Sequence, residues 1–189
     1  MSNGHVLVLG GARSGKTGYA ERLAMRMGNR PVYLATATAL DGEMRERVST
    51  HQAQRSGRFT TVEEPVDVPA AIVTAAKGND VILMDCVTLW ITNLLEANMD
   101  VAAAVEELYG VLNDVDAARV ILVSNEVGLG VVPDNPLGRS FRDITGAAHQ
   151  RLAEICDDVY FIAAGLPLVM KGGPPVTEAG EQNNGVHEA

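Results

Sequence analysis

Eight consecutive residues, Gly10-Gly11-Ala12-Arg13-Ser14-Gly15-Lys16-Thr17, have the types and spacing to hold a chain of phosphates. Glycines let the backbone wrap closely around an anion, and the N–H groups at the head of a following helix point at it. In this Gly-x4-Gly-Lys-Thr pattern, Lys16 reaches the β- and γ-phosphates and the Thr17 hydroxyl is a magnesium ligand. The pattern needs a buried strand before it and a helix after it; His5-Val6-Leu7-Val8-Leu9 and residues 14–27 supply both. That context weighs against a Gly-rich turn with an incidental lysine. A phosphate loop also needs an acidic residue at the end of a neighbouring strand, to hold magnesium through its water shell. Val81-Ile82-Leu83-Met84-Asp85 supplies it. The alternative for Asp85 is a strand-end carboxylate that caps the next helix.

The loop alone does not choose among ATPases, GTPases and small-molecule kinases. A regulatory GTPase carries an Asn-Lys-x-Asp motif to read guanine. With lysine only at 16, 77 and 171, that motif is absent.

The elements that must position these residues follow from hydropathy. Apolar runs at 5–9, 31–35, 59–62, 81–84, 120–123 and 159–162 read as strands, the last one closing the sheet. Helical patterns fall at 14–27, 41–55, 66–76, 89–97, 101–112 and 140–155, with a Gly/Pro-rich loop over 125–138. Continuous rather than alternating apolar strands imply burial on both faces, and strands separated by helices imply parallel crossovers. The expectation is one α/β domain of the P-loop NTPase type over residues 1–171: a doubly wound, mainly parallel sheet with helices on both faces. Residues 172–189 are rich in Gly, Pro, Glu and Asn and are expected to be a disordered tail.

Composition narrows the partners. A net charge of −9 opposes broad binding to nucleic acid, which needs a positive surface. No apolar run approaches the roughly 18 residues of a membrane span. The first residues, Met-Ser-Asn-Gly-His, lack a basic leader and a cleavage site, so the expected location is cytoplasmic. Cys86 and Cys156 have no metal-ligand spacing and are expected to be buried free thiols.

Further blocks extend well beyond the generic loop: Tyr33-Leu34-Ala35-Thr36-Ala37, Asp41-x-Glu43-Met44-x-x-Arg47-Val48-x-x-His51, Thr61-Val62-Glu63-Glu64-Pro65 and Asp85-Cys86-Val87-Thr88-Leu89-Trp90-x-x-Asn93-Leu94. The most distinctive is Ser124-Asn125-Glu126-Val127-Gly128-Leu129-Gly130-Val131-Val132-Pro133, followed by Arg139-x-Phe141-Arg142-Asp143. With the loop, these blocks resemble in order the adenosylcobinamide kinase/adenosylcobinamide-phosphate guanylyltransferase family of cobalamin biosynthesis, over residues 6–171.

The resemblance implies two reactions. An NTP (ATP or GTP) phosphorylates the aminopropanol hydroxyl of adenosylcobinamide. GTP then gives GMP to a histidine, which passes it to adenosylcobinamide phosphate. The family histidine falls on His51. By spacing alone His51 is a half-buried surface histidine, on a helix face shared with Met44, Val48 and Arg55. An imidazole suits the relay because a pKa of about 6.5 leaves one nitrogen free at neutral pH. The implied nucleotide contacts include Gln52, Ala53, Gln54 and Arg55. Glu63 accepts from guanine or ribose, or is a solvated carboxylate. Ala35, Thr36 and Ala37 lie at a strand's carboxyl end, where ligands of doubly wound sheets bind. Arg139 and Arg142 meet phosphate from a neighbouring subunit or are salt-bridged structural groups. The family also implies magnesium, a corrinoid substrate and a homotrimer. This chain departs from the pattern at Gln52, often Arg in the family, and at His149, where Asn is expected and a surface or packing role is read. The competing readings are a plain P-loop small-molecule kinase with a structural His51, and a non-enzymatic NTP-binding partner protein.

Overall fold

The computed structural model describes residues 4–37 and 57–174. Its strands β1 (Val6–Gly10), β2 (Pro31–Ala35), β3 (Thr60–Glu63), β4 (Val81–Asp85), β5 (Arg119–Asn125), β6 (Asp158–Ala163) and β7 (Leu166–Lys171) form one sheet. The order is β3-β2-β4-β5-β1-β6-β7, parallel throughout except for the last pair. Helices α1 (Lys16–Met27), α2 (Val68–Ala76), α3 (Val87–Glu96), α4 (Val101–Asp114) and α5 (Pro136–Ile155) connect the strands.

The alternation of side chains along each strand divides the core in two. Leu7, Leu9, Ile82, Met84, Val120 and Leu122 face α2–α5, with Trp90, Leu94, Leu108 and Leu152 packed on them. Val6, Val8, Leu83, Ile121 and Val123 face the other way, onto Tyr19, Ala20, Leu23 and Ala24 of α1. The doubly wound expectation is met: every inner strand is apolar on both sides because both sides are covered. Cys86 and Cys156 are buried free thiols, and burial pushes them up to about 11 and about 12.

Side-chain caps set the starts of α2, α4 and α5. Asp67 accepts from Ala70 N–H, Asp100 from Ala103 N–H and Asn135 from Gly138 N–H, at 3.3, 3.1 and 2.7 Å. The last of these corrects the expected start at 140: Asn135-Pro136 is a cap followed by a first-turn proline, so α5 starts four residues earlier and takes three residues from the supposed loop.

A second correction concerns the sheet edge, where 159–162 does not close it. The chain turns through Ala164 and Gly165, at φ 51° and 79°, and returns as β7. Two consecutive left-handed residues make the two-residue hairpin whose twist matches its strands. Pro167 and the exposed Leu166, Leu168 and Met170 hid an edge strand from its hydropathy. The helix expected at 41–55 and residues 175–189 of the expected tail lie outside the described residues.

Below the sheet, His5 is fully buried. Val120 N–H donates to its Nδ1 at 3.0 Å and Nε2 pairs with Leu112 O at 2.8 Å, so the ring is the neutral Nε2–H tautomer. Burial depresses its pKa, against smaller opposing effects from the Leu112 bond and Asp157. The unfolded chain therefore takes up this proton first. The contribution to stability is complete above the ordinary value of 6.5 and is lost as pH falls from there through the folded pKa.

Replacing His5 by Ala strands a buried N–H and carbonyl and opens a cavity, at a cost of about 2–4 kcal/mol. Urea unfolding at several pH values checks this. The variant should be less stable at pH 7.5 and lose less on acidification than the parent. An equally steep loss would assign the pH dependence to another group.

Candidate active site

The carboxyl ends of β1, β2, β4 and β5 come together at one edge of the sheet, and α1 starts there. Gly10 ends β1 opposite Asn125 of β5 and Ile162 of β6. A Cβ on Gly10 would lie 2.5 Å from Ser14 Oγ and 2.6 Å from Ile162 O, so the loop folds back where only glycine fits. Arg13 and Gly15 are left-handed at φ 55° and 93°. Gly11 O accepts from Ser14 N–H at 3.3 Å and from Lys16 Nζ at 3.0 Å. Outside the loop, Gly165 N–H of the β6–β7 turn donates to Ser14 O at 2.8 Å, and its Cα would lie 3.2 Å from a Cβ on Gly15. That turn braces the loop, a contact the sequence reading missed. Its signal was the Ala-Gly pair between two apolar runs.

Lys16 is only 8% exposed. Burial lowers its pKa, while the nearby Asp85 carboxylate and Cys86 oppose the shift. Asp85 Oδ2 accepts from Thr17 Oγ1 at 3.2 Å and from Tyr33 OH at 2.6 Å. The helix that follows has Cys86 at its N-cap with no side-chain cap bond, so Asp85 faces the phosphate loop rather than capping α3. A carboxylate beside a threonine hydroxyl is the hard-oxygen donor set that a small divalent cation takes, and one carboxylate fits a cation arriving with its phosphates. Ser14 Oγ is buried with no hydrogen-bond partner among the described residues, a polar atom left for something in the loop. Tyr33 was read as part of a strand and of a family block, with no role for its hydroxyl, which now belongs to the site.

The remaining expected residues divide. Thr36 is fully buried: its hydroxyl accepts from Cys86 N–H at 2.8 Å and pairs with Cys86 O at 2.9 Å. Its hydroxyl thus ties the tip of β2 to the start of α3. Ala35 and Ala37 flank it and are half-buried. Asn93 clamps the same tip, donating to Thr36 O and Pro65 O at 2.8 and 2.9 Å. Glu63 is exposed at the end of β3, level with Ala35. Arg139 is spent on the carbonyls of Pro133 and Asp134, and Arg142 pairs with Asp143 at 3.0 Å, which favours the structural alternative for both. His149 is half-buried, 2.7 Å from Ser124 Oγ, in the packing role expected of it. His51, Gln52, Ala53, Gln54 and Arg55 lie outside the described residues.

A cleft of about 320 Å³ opens beside the loop, and Ala12, Thr88, Asn125, Glu126, Val127 and Phe141 are among the residues that line it. A larger apolar cavity of about 480 Å³ lies between α3, α4 and α5. No residue of the phosphate loop lines it, and Arg151 at its rim is occupied by Glu106, Glu154 and the Tyr109 ring.

Comparison with known proteins gives this geometry a setting. A family model described as cobinamide kinase / cobinamide phosphate guanyltransferase matches residues 6–170. The bifunctional adenosylcobalamin biosynthesis protein CobP of Pseudomonas aeruginosa is 46% identical over 170 residues, covering 89% of this chain and 98% of its own. The bifunctional adenosylcobalamin biosynthesis protein CobU of Salmonella typhimurium is 37% identical over 182 residues, covering 88% and 99%. Among solved structures, the flagellar accessory protein FlaH of Methanocaldococcus jannaschii aligns over 90% of this chain and 79% of its own, with a TM-score of 0.54 and 14% identity. At that identity the likeness shows the fold alone.

The crowding at Gly10 makes a direct test. Gly10→Ala must push Ser14 or the Ile162 carbonyl aside, so the loop should lose its anion-binding shape while the sheet survives. Nucleotide affinity, measured by calorimetry, should fall about tenfold or more, equivalent to some 1.4 kcal/mol. Unchanged affinity would show that this edge of the loop does not shape the site.

Proposed function

The chain belongs to the cobinamide kinase / cobinamide phosphate guanyltransferase family and is an enzyme of cobalamin biosynthesis; from that premise we propose that its two transfers share one phosphate loop and that the second passes through a relay histidine, His51. In the first transfer an NTP phosphorylates the aminopropanol hydroxyl of adenosylcobinamide. In the second, a nitrogen of His51 attacks the α-phosphorus of GTP, the bond to the β-phosphate breaks, and pyrophosphate leaves. A phosphate oxygen of adenosylcobinamide phosphate then attacks that phosphorus and the phosphorus–nitrogen bond breaks, giving adenosylcobinamide-GDP and restoring the imidazole. Covalent relay splits one hard transfer into two easier ones.

The observation that carries this reading is the convergence of Lys16, Thr17 and Asp85 at the head of α1. Backbone N–H groups of residues 11–17 hold the phosphates, and Lys16 neutralises charge that grows on them during transfer. Thr17 and Asp85 are the residues that would hold magnesium, which when bound offsets the charge of the β- and γ-phosphates. Tyr33 OH donates to the same Asp85 oxygen as Thr17 and helps fix the carboxylate beside it. The relay through His51 rests on its place in the family motif. Self-association fits the exposed Leu166, Leu168 and Met170 on the outermost strand.

Lys16→Ala should abolish both transfers, and Asp85→Ala should slow both and raise the magnesium requirement without unfolding the domain. Near-normal turnover in the first, or unchanged magnesium dependence in the second, would move the phosphate or metal site elsewhere.

Labelling separates the relay from simple phosphorylation. GTP labelled at the α-phosphorus should label the protein and γ-labelled GTP should not, with a bond lost in acid and stable in base. His51→Ala should lose that label and guanylyl transfer yet keep some kinase activity, because the acceptor's own hydroxyl is the nucleophile there. Undiminished α-label on the variant would leave the plain P-loop small-molecule kinase.

A further inference from the structure

The kinase step needs a place for the alcohol, and the family motif assigns no residue to it. We propose that the cleft beside Ala12 receives the acceptor, hydroxyl end inward, and that Glu126 takes the proton of that hydroxyl. This rests on the kinase half of the function proposed above.

Position is the first argument. Glu126 N–H donates to Gly10 O at 3.0 Å, so this carboxylate hangs from a residue bonded to the first turn of the phosphate loop. The loop feeds α1 on one face of the sheet, whereas the cleft opens between α3 and α5 on the other. Donor and acceptor therefore approach from opposite faces and meet over the tips of β1 and β5, as an in-line transfer requires.

Rigidity is the second. The two carboxylate oxygens of Glu126 are fixed by Gly128 N–H at 2.6 Å and Leu129 N–H at 3.0 Å. A Cβ on Gly128 would lie 2.9 Å from Oε1, so the turn closes tightly round the acid. Each oxygen keeps one lone pair. Beside it the Asn125 amide donates to Thr88 Oγ1 at 2.9 Å, giving the cleft a fixed set of polar groups.

Chemistry is the third. The lining combines the polar Thr88, Asn125 and Glu126 with the apolar Val127 and Phe141. Beyond them Leu129, Val131 and Val132 stand 79%, 97% and 60% exposed on the loop that Glu126 holds. A small polar alcohol would leave those side chains unused. A bulky amphipathic acceptor with its alcohol on a short arm would cover them. In the transfer, the acceptor oxygen bonds to the γ-phosphorus as the bond from that phosphorus to the β–γ bridging oxygen breaks. The electron pair leaves on the nucleoside diphosphate and the hydroxyl proton passes to Glu126.

The test uses the full chain, saturating NTP and cobinamide as the acceptor probe. Glu126→Gln should lower kcat for phosphorylation about 100-fold or more, the ordinary loss for a missing base. Its KM for cobinamide and its nucleotide affinity should stay within about threefold, and Glu126→Asp should recover part of the rate. Val127→Glu, in the apolar part of the lining, should instead raise the cobinamide KM with nucleotide affinity intact. An unimpaired kcat in Glu126→Gln, or a loss confined to KM, overturns the proton role. An unchanged KM in Val127→Glu overturns the cleft assignment. A parent enzyme that takes α-label from GTP but cannot phosphorylate cobinamide overturns the kinase reading, and this proposal with it.

Discussion

Asp85 gathers the site. Its carboxylate accepts from Thr17 on α1 and Tyr33 on β2, and its backbone carbonyl accepts from Thr36 N–H. The head of α1 and the end of β2, distant from it in sequence, are therefore both referred to one residue at the tip of β4. A loop that binds anions with backbone N–H groups has few of them left to hold itself. Beyond the Ser14–Gly11 and Lys16–Gly11 bonds within it, its shape comes from neighbours, here the crowding over Gly10 and the β6–β7 turn.

The same economy appears around Thr36 and Cys86. The Thr36 hydroxyl serves one backbone N–H and one carbonyl of Cys86, and Asn93 takes up the carbonyl of Thr36 itself. Buried polar groups that satisfy one another in this way fix a unique arrangement, because each lost partner leaves another unpaired. The Cys86 thiol lies within this network, 3.1 Å from Thr88 Oγ1, and its raised pKa keeps it protonated at neutral pH. It packs and does not react.

Much of this could be read in the residues. Val6-Leu7-Val8-Leu9 and Val81-Ile82-Leu83-Met84 are apolar at every position, which only a strand covered on both faces requires, and Asp85 follows the second directly. Gly10 to Thr17 gave the loop because its chemistry is backbone chemistry, written in glycines. What escaped was tertiary. Nothing in the spacing of Tyr33 says that its hydroxyl meets Asp85, because the partner lies two elements away. The β6–β7 turn was spelled with an alanine in a left-handed conformation, where Asn or Gly would have announced a hairpin. Asn135-Pro136 was a readable helix start, hidden within a loop-like composition.

The brace between Ser14 and Gly165 also bears on the order of synthesis. The phosphate loop leaves the ribosome directly after β1, but the hairpin that supports it comes after every other described helix and parallel strand. Domains form as units while the chain elongates. A nascent chain can thus lay down β1, α1 and the inner strands and still carry a loop without its outer support. A translation product halted short of that hairpin holds the loop residues without the Gly165 N–H that braces Ser14 O.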